Sequence, residues 1–259
     1  MGHTRLGQLP KTREWRRVVE LLGNGADTAD IAAAVATAAE KELSNAQGDP
    51  AFAEVVWLLT QLPIAARSDR FAAELTALGF SAGSERSLQE IVCGFHGAVD
   101  YHVGDASGRT DLGELARQAA AESLSILVGN QMPGLFGDSA EDLRLELAKF
   151  QTKAQFGRLA RDFFARLTSK TLDYYLSRVL ADHVGPERAL ETLGAQADFK
   201  AALALHCRET SEIVEQFAGG WYAKSNINGT LNRNTTQRFA AYALKKMRDE
   251  LRARRADDA

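Results

Sequence analysis

The sequence predicts an all-α protein, and three observations support that fold class. Apolar residues recur three and four positions apart along nearly the whole chain, while the alternating pattern of a β-strand is almost absent. The 259 residues include 43 alanines, which favour helix, and only five prolines. Residues that begin helices recur at intervals along the chain. We therefore predict a single multi-helix domain of about nine to eleven helices, packed around a long central helix at about 141–183.

The first 79 residues of the chain contain four predicted helices. The first covers Thr12–Leu22, where apolar residues share one face. Asp27 is suited to cap the second, because its carboxylate can accept a hydrogen bond from a free backbone N–H of the first turn. Pro50 suits the first position of the third, which we expect to end near residue 63. The fourth covers 69–79.

Three pairs of polar residues mark the starts of further helices. In each pair, a short polar side chain stands three positions before an acidic residue, which is the spacing of a capping box. The pairs are Ser87 with Glu90, Asp111 with Glu114, and Ser139 with Asp142.

The central segment at about 141–183 contains no proline and one glycine, Gly157. Its apolar residues keep a helical spacing throughout, so it is either one long helix or two helices joined at a kink near Gly157. We place the last three helices at about 186–193, 198–218 and 234–255.

The net charge of −3 conceals an uneven distribution. Residues 1–17 contain five basic side chains and one acidic one, and residues 224–259 contain nine basic and four acidic ones. The 206 residues between them contain 17 basic and 29 acidic side chains. The sequence therefore describes an acidic body with basic ends.

Several features predict the compartment. The two cysteines, Cys93 and Cys207, lie far apart in sequence, which favours reduced thiols over a disulfide framework. The first 25 residues lack the apolar stretch of a secretion signal. The longest apolar stretch, Ile31–Ala39, is far shorter than the ~20 residues that span a membrane. We predict a cytoplasmic protein with no membrane contact, and the content of alanine and arginine suggests a bacterial one.

The familiar catalytic motifs are missing from the sequence. It contains no G-x-x-x-x-G-K-[ST], G-x-G-x-x-G, G-x-S-x-G, H-E-x-x-H or C-x-x-C. Two groups of residues could in principle ligate zinc, but adjacent histidine and cysteine point in different directions on a helix, so we predict neither a metal site nor a cofactor. These groups are Cys93, His96, Asp100 and His102, and His206, Cys207, Glu209 and Glu212.

The basic N-terminal arm, residues 1–14, is predicted to precede a single helical domain at 15–259. Leucines and Trp15 are spaced along it between basic residues, whereas a disordered tail usually lacks such apolar anchors. We expect the arm to dock on its own domain or on a partner. Its candidate contact residues are Arg5, Lys11, Arg13 and Trp15.

The segment 219–238 has the least ordinary composition in the chain. We expect the double glycine at 219–220 to end a helix and a long loop to follow. Aromatic, basic and amide side chains together suit a protein interface or the stacking of a base, although the aromatic residues could equally belong to the core. The candidate residues of this segment are Trp221, Tyr222, Lys224, Asn226, Arg233 and Arg238.

The predicted C-terminal helix has an apolar face and a basic one. Lys245 and Lys246 lie on the basic face with several arginines, which suits either a solvated helix end or a phosphate backbone.

Three functions remain open at this point. We favour a non-catalytic interaction or accessory subunit of a bacterial multi-component system, which contacts a protein partner through the arm and the 219–238 loop. The alternatives are a nucleic-acid-associated protein that uses the basic C-terminal helix and the aromatic loop, and an all-α enzyme of unfamiliar type. The enzyme would use His96, His102, His206 and Glu209.

Overall fold

In the computed structural model, the structure describes residues 12–39, 48–81, 83, 87–104, 110–131, 139–180, 185, 190 and 192–257. Within these ranges the chain forms eleven α-helices and no strand, so the all-α prediction is confirmed. The helices are α1 (Arg13–Gly23), α2 (Thr28–Ala38), α3 (Pro50–Ala65), α4 (Phe71–Ala77), α5 (Leu88–Val103), α6 (Asp111–Gly129), α7 (Ala140–Lys149), α8 (Lys153–Leu180), α9 (Leu193–Thr210), α10 (Glu212–Ile227) and α11 (Arg233–Asp257).

Short polar side chains begin many of these helices, as the sequence predicts. Asp27 accepts a hydrogen bond from the backbone N–H of Ala29 at 3.0 Å. Ser139 and Asp142 form a complete capping box at the start of α7. Such caps stabilise a helix end by about 1 kcal/mol, because they satisfy N–H groups that have no partner within the helix.

One of the three predicted starts is wrong by a residue. Asp111 is the first residue of α6, and the cap is Thr110, whose hydroxyl accepts from the N–H of Gly113 at 2.9 Å. The same hydroxyl donates to the carboxylate of Asp49, which caps α3 through the N–H of Phe52. The two helix starts are therefore joined by their caps.

The helices form a single compact domain with two hydrophobic clusters. The larger cluster contains buried residues of α3 to α8, α10 and α11. The smaller one contains α1, α2, the C-terminal half of α8, part of α9 and Leu251 of α11. Helix α8 contributes to both, from Phe156 to Leu167 in the first and from Leu172 to Leu180 in the second.

The predicted central helix is two helices, and the break is not at Gly157. Helix α7 ends at Lys149 and α8 begins at Lys153. Thr152 begins α8, since its hydroxyl accepts from the N–H of Gln155 at 3.4 Å, and the Phe150 side chain is buried in the turn. Gly157 lies inside α8, where an added Cβ would stand 3.2 Å from the carbonyl oxygen of Glu215. Residues 181–183 lie outside the described ranges.

The predicted loop at 219–238 is also wrong. Helix α9 ends at Thr210 and α10 runs through both glycines to Ile227, so the predicted helix at 198–218 belongs to two helices. Only residues 228–232 connect α10 to α11. Most of the helix predicted at 186–193 falls outside the described residues.

The glycines at 219–220 lie inside a helix because α10 and α8 approach each other closely at this point. A Cβ added to Gly219 would lie 2.0 Å from the carbonyl oxygen of Lys153, the first residue of α8. Glycine at this position removes a side chain from a helix crossing instead of ending the helix. The residue that ends α10 is further along, where Gly229 has φ +62°.

None of the helices in the described ranges combines the length and apolar character needed to cross a membrane.

The two glycines of α10 offer a matched test of this packing. We expect Gly219→Ala to destabilise the protein by about 1–3 kcal/mol, because the new methyl group overlaps the backbone of Lys153. We expect Gly220→Ala to be neutral, or to stabilise by about 0.5–1 kcal/mol, because alanine favours helix and its Cβ would meet only Lys153 Cε, at 3.9 Å. Urea unfolding followed by circular dichroism measures both changes. Equal effects of the two substitutions would contradict a close crossing at Gly219.

Candidate functional site

The aromatic residues proposed from the sequence as binding residues belong to the core. The Tyr222 ring is fully buried, stacks on Phe156 at 3.8 Å between centroids, and donates its hydroxyl to the carbonyl oxygen of Thr60 at 3.0 Å. Burial raises the pKa of the Tyr222 hydroxyl well above its usual value. Trp221 is partly buried and stacks on Phe239 at 3.9 Å. The Tyr222 ring therefore presents no free face for a nucleic-acid base, and one face of the Trp221 ring is covered by Phe239.

Trp15 is likewise a core residue. It is 2% exposed in α1, and its ring centroid lies 5.2 Å from that of Tyr175 in α8. It belongs to the smaller cluster, whereas Trp221 and Tyr222 belong to the larger one, so the structure does not bring them together. Arg13 is exposed at the start of α1. Arg5 and Lys11 lie outside the described residues, so the basic arm stays a prediction. Helix α1 begins at Arg13, so it includes the last two residues of the predicted arm.

Arg233 does not point freely to solvent. Its guanidinium donates two hydrogen bonds to the carboxylate of Glu54 in α3, at 2.9 and 2.8 Å, and lies 5.2 Å from the centroid of the Trp57 ring. The hydrogen bond to Glu54 raises the pKa of Arg233. The Glu54 side chain is only 7% exposed, and His102 Nε2 lies 3.9 Å from its Oε1. This pair therefore fixes the start of α11 on α3.

Sequence reasoning missed this pair, whose members are 179 positions apart. One signal was present: Glu54 is the sole charged residue of α3, within an otherwise apolar and mostly buried helix. A buried carboxylate needs a cation or several donors nearby, so its isolation in the sequence indicates a partner elsewhere in the fold.

The remaining predicted basic residues of α10 and α11 are Lys224, Arg238, Lys245 and Lys246. Together with Tyr242 of α11, we call them the α10–α11 face. On α11, Arg238, Tyr242 and Lys245 are four and three positions apart, so they share one side of the helix. Tyr242 is 47% exposed, and its ring packs edge-on against Phe217 of α10, 5.0 Å between centroids. Lys246 Nζ lies 5.6 Å from the centre of the Tyr242 ring.

The cations of this face are mostly uncompensated. Lys224, Arg238 and Lys245 are exposed, and none of them forms an ion pair within the part of the chain that the structure describes. The carboxylate that follows them on α11, Asp249, is bound to Arg248 at 3.2 Å. Asn226 is half-buried near the end of α10, where its carbonyl oxygen accepts from the N–H of Gly229.

The cysteine and histidine residues considered as metal ligands do not converge. Among the described residues, no three histidine, cysteine, aspartate or glutamate side chains are placed to hold a metal ion. Cys93 is exposed, whereas Cys207 is buried, and burial raises the pKa of its thiol to about 12.

No family model, curated protein or solved structure matches the chain. Its function must therefore be inferred from the geometry of its own residues.

The Glu54–Arg233 pair predicts a rescue between two substitutions. We expect Arg233→Met to destabilise the protein by about 2 kcal/mol, because it leaves the buried Glu54 carboxylate without its main counter-charge. Adding Glu54→Gln should recover part of that loss, since a neutral amide needs no counter-charge. Chemical unfolding of the wild type, both single variants and the double variant measures the coupling. A double variant less stable than Arg233→Met alone would contradict the pairing.

The buried thiol predicts a pH-dependent contribution to stability. A pKa raised from 9.0 to about 12 means that the protonated thiol stabilises the fold below pH 9, and that this contribution is lost as pH rises towards 12. Between pH 8 and pH 10.5, the wild type should lose about 2 kcal/mol more free energy of unfolding than Cys207→Ala loses. The control is Cys93→Ala, which removes an exposed thiol and should lose as much as the wild type. Equal pH dependence in all three proteins would show that Cys207 ionises freely in the fold.

Proposed function

We propose that this protein is a non-catalytic accessory subunit that binds an acidic surface of a protein partner through the α10–α11 face. The observation that carries the proposal is the group of exposed cations, without carboxylate partners among the described residues, around the half-exposed ring of Tyr242. Arginine and tyrosine are enriched in protein interfaces, because they combine apolar contact area with a hydrogen-bonding end.

The charge distribution supports a protein partner that is acidic. Residues 18–223 contain 12 more acidic than basic side chains, so a strongly acidic ligand is repelled from most of the chain and attracted to this face. Ile227, which is 84% exposed at the end of α10, adds apolar surface close to Lys224. Acidic and apolar residues together on the partner would match this combination.

Nucleic acid is the weaker alternative on this geometry. Stacking of bases requires open aromatic faces. Trp221 and Tyr222 are packed against Phe239 and Phe156, so Tyr242 is the one half-exposed ring of the α10–α11 face. Arg233, a candidate contact in the sequence, and Arg248, one of the arginines of the basic C-terminal helix, are bound to Glu54 and Asp249. The remaining basic residues are few for a protein of net charge −3.

The N-terminal arm and the cellular setting belong to the same proposal. The arm, with Arg5, Lys11 and Arg13, would provide a second basic contact for the partner. The two cysteines far apart in sequence support residence in a cytoplasm, and the content of alanine and arginine supports a bacterial system.

Charge reversal on the α10–α11 face tests the proposal. The partner would be identified by affinity purification and mass spectrometry from cells that express the native protein, and its affinity would then be measured with purified components. Arg238→Glu with Lys245→Glu should weaken that affinity about tenfold or more, because both changes place like charges across the interface.

The matched control is Arg70→Glu, since Arg70 is also exposed and lies before α4, outside the α10–α11 face. It should retain the wild-type affinity. Equal affinity of the partner for the wild type and the doubly reversed protein would contradict the proposed interface. Retention of DNA or RNA instead, with an affinity that falls steeply with salt, would replace the protein partner by nucleic acid.

A further inference from the structure

A cleft of about 450 Å³ lies between the C-terminal ends of α6 and α7 and the facing sides of α8, α9 and α10. Its volume is within the range of small-molecule sites, about 300–1,000 Å³. The α10–α11 face contributes none of the residues that line it.

Each acidic side chain of the cleft already has a cation. Glu146 binds Lys149, and Glu215 binds Arg161 at 2.9 Å. Asp162 binds Arg166, one turn further along α8, at 2.5 Å. Arg161 is shared, since it also binds Glu212 at 3.1 Å. The carboxylates that line the cleft are therefore paired with cations fixed in the fold.

Two arginines of the same cleft have no such partner. Arg158 extends from α8 and Arg208 from α9, both are exposed, and neither guanidinium forms an ion pair within the described ranges. Arg158 lies one turn before Arg161 on α8, so it lies on the side that faces the cleft. The cleft thus holds two uncompensated positive charges from two different helices.

We propose that this cleft binds a phosphomonoester, with the phosphate between Arg158 and Arg208. The planar guanidinium donates two parallel hydrogen bonds, which match the oxygen atoms of a phosphate. A phosphomonoester carries a charge of about −1.5 to −2 at pH 7, which is opposite in sign to the charges of the two arginines and comparable in size.

The rest of the cleft suits the organic part of such a ligand. Leu127 and Phe150 provide apolar wall, and the amides of Gln131 and Gln155 provide donors and acceptors for hydroxyl or ring nitrogen groups. Most of the lining is polar or charged, which suits the hydroxyl and phosphate groups of such a ligand better than it suits a largely apolar molecule. The ligand is therefore a phosphorylated small molecule of nucleotide or sugar-phosphate size.

Calorimetric titration of the full chain tests the site with three phosphate probes: adenosine 5′-monophosphate, glucose 6-phosphate and inorganic phosphate. Adenosine and glucose are the controls without phosphate. At least one of the two phosphomonoesters should bind, and more tightly than inorganic phosphate, whereas adenosine and glucose should not. Arg158→Gln and Arg208→Gln should each weaken that binding about tenfold or more. Arg16→Gln, which removes an exposed arginine of α1 outside the cleft, should leave it unchanged.

The unfolding midpoint of each variant tests whether it remains folded. We expect it to remain folded, because the substituted arginines are exposed. The proposal is overturned if neither phosphomonoester binds more tightly than about 1 mM. It is also overturned if Arg16→Gln weakens binding as much as Arg158→Gln does. Equal affinities for inorganic phosphate and both phosphomonoesters would show a general attraction for anions and overturn the assignment of a ligand site.

Discussion

The contact between α8 and α10 is the constraint on which the arrangement of the other helices depends. At Gly219 the backbone of α10 comes so close to the carbonyl of Lys153 that no side chain fits between them. This approach seats Tyr222 under Phe156 and sets its hydroxyl against Thr60 of α3. It also holds Glu215 beside Arg161, on the wall of the cleft. One glycine thereby positions the core, the cleft and the helix that begins the α10–α11 face.

Local features of the fold could be predicted from the sequence. Asp27 and Ser139 begin helices through hydrogen bonds to residues two and three positions away, so a short window of sequence contains all the information needed. The buried face of α3 follows from the spacing of Phe52, Val55 and Leu59. The helix boundaries were harder to predict. A glycine such as Gly219 can either end a helix or allow two helices to cross closely, and the sequence alone does not distinguish the two.

Those features of the candidate site that depend on neighbouring residues could also be predicted from the sequence. Arg238, Lys245 and Lys246 share a helical face through their spacing alone, and the structure leaves that face on the surface. Trp221 and Tyr222 could not be assigned from composition, because aromatic residues serve cores and interfaces equally well. The partners of Arg233 and Arg161 are 179 and 54 positions away in sequence. The tertiary fold is therefore needed to distinguish these arginines, which are bound to carboxylates, from Arg158 and Arg208.

Helix α11 has a consequence for the order in which the protein can fold during synthesis. Its apolar face supplies Phe239, Ala243 and Met247 to the larger cluster and Leu251 to the smaller one, and it packs against α2 and α3 near the beginning of the chain. The Glu54 carboxylate also lacks its main counter-charge until Arg233 is in place. Neither core is complete until α11 has left the ribosome. Until then, the apolar faces of α2 and α3 that α11 covers are available to chaperones.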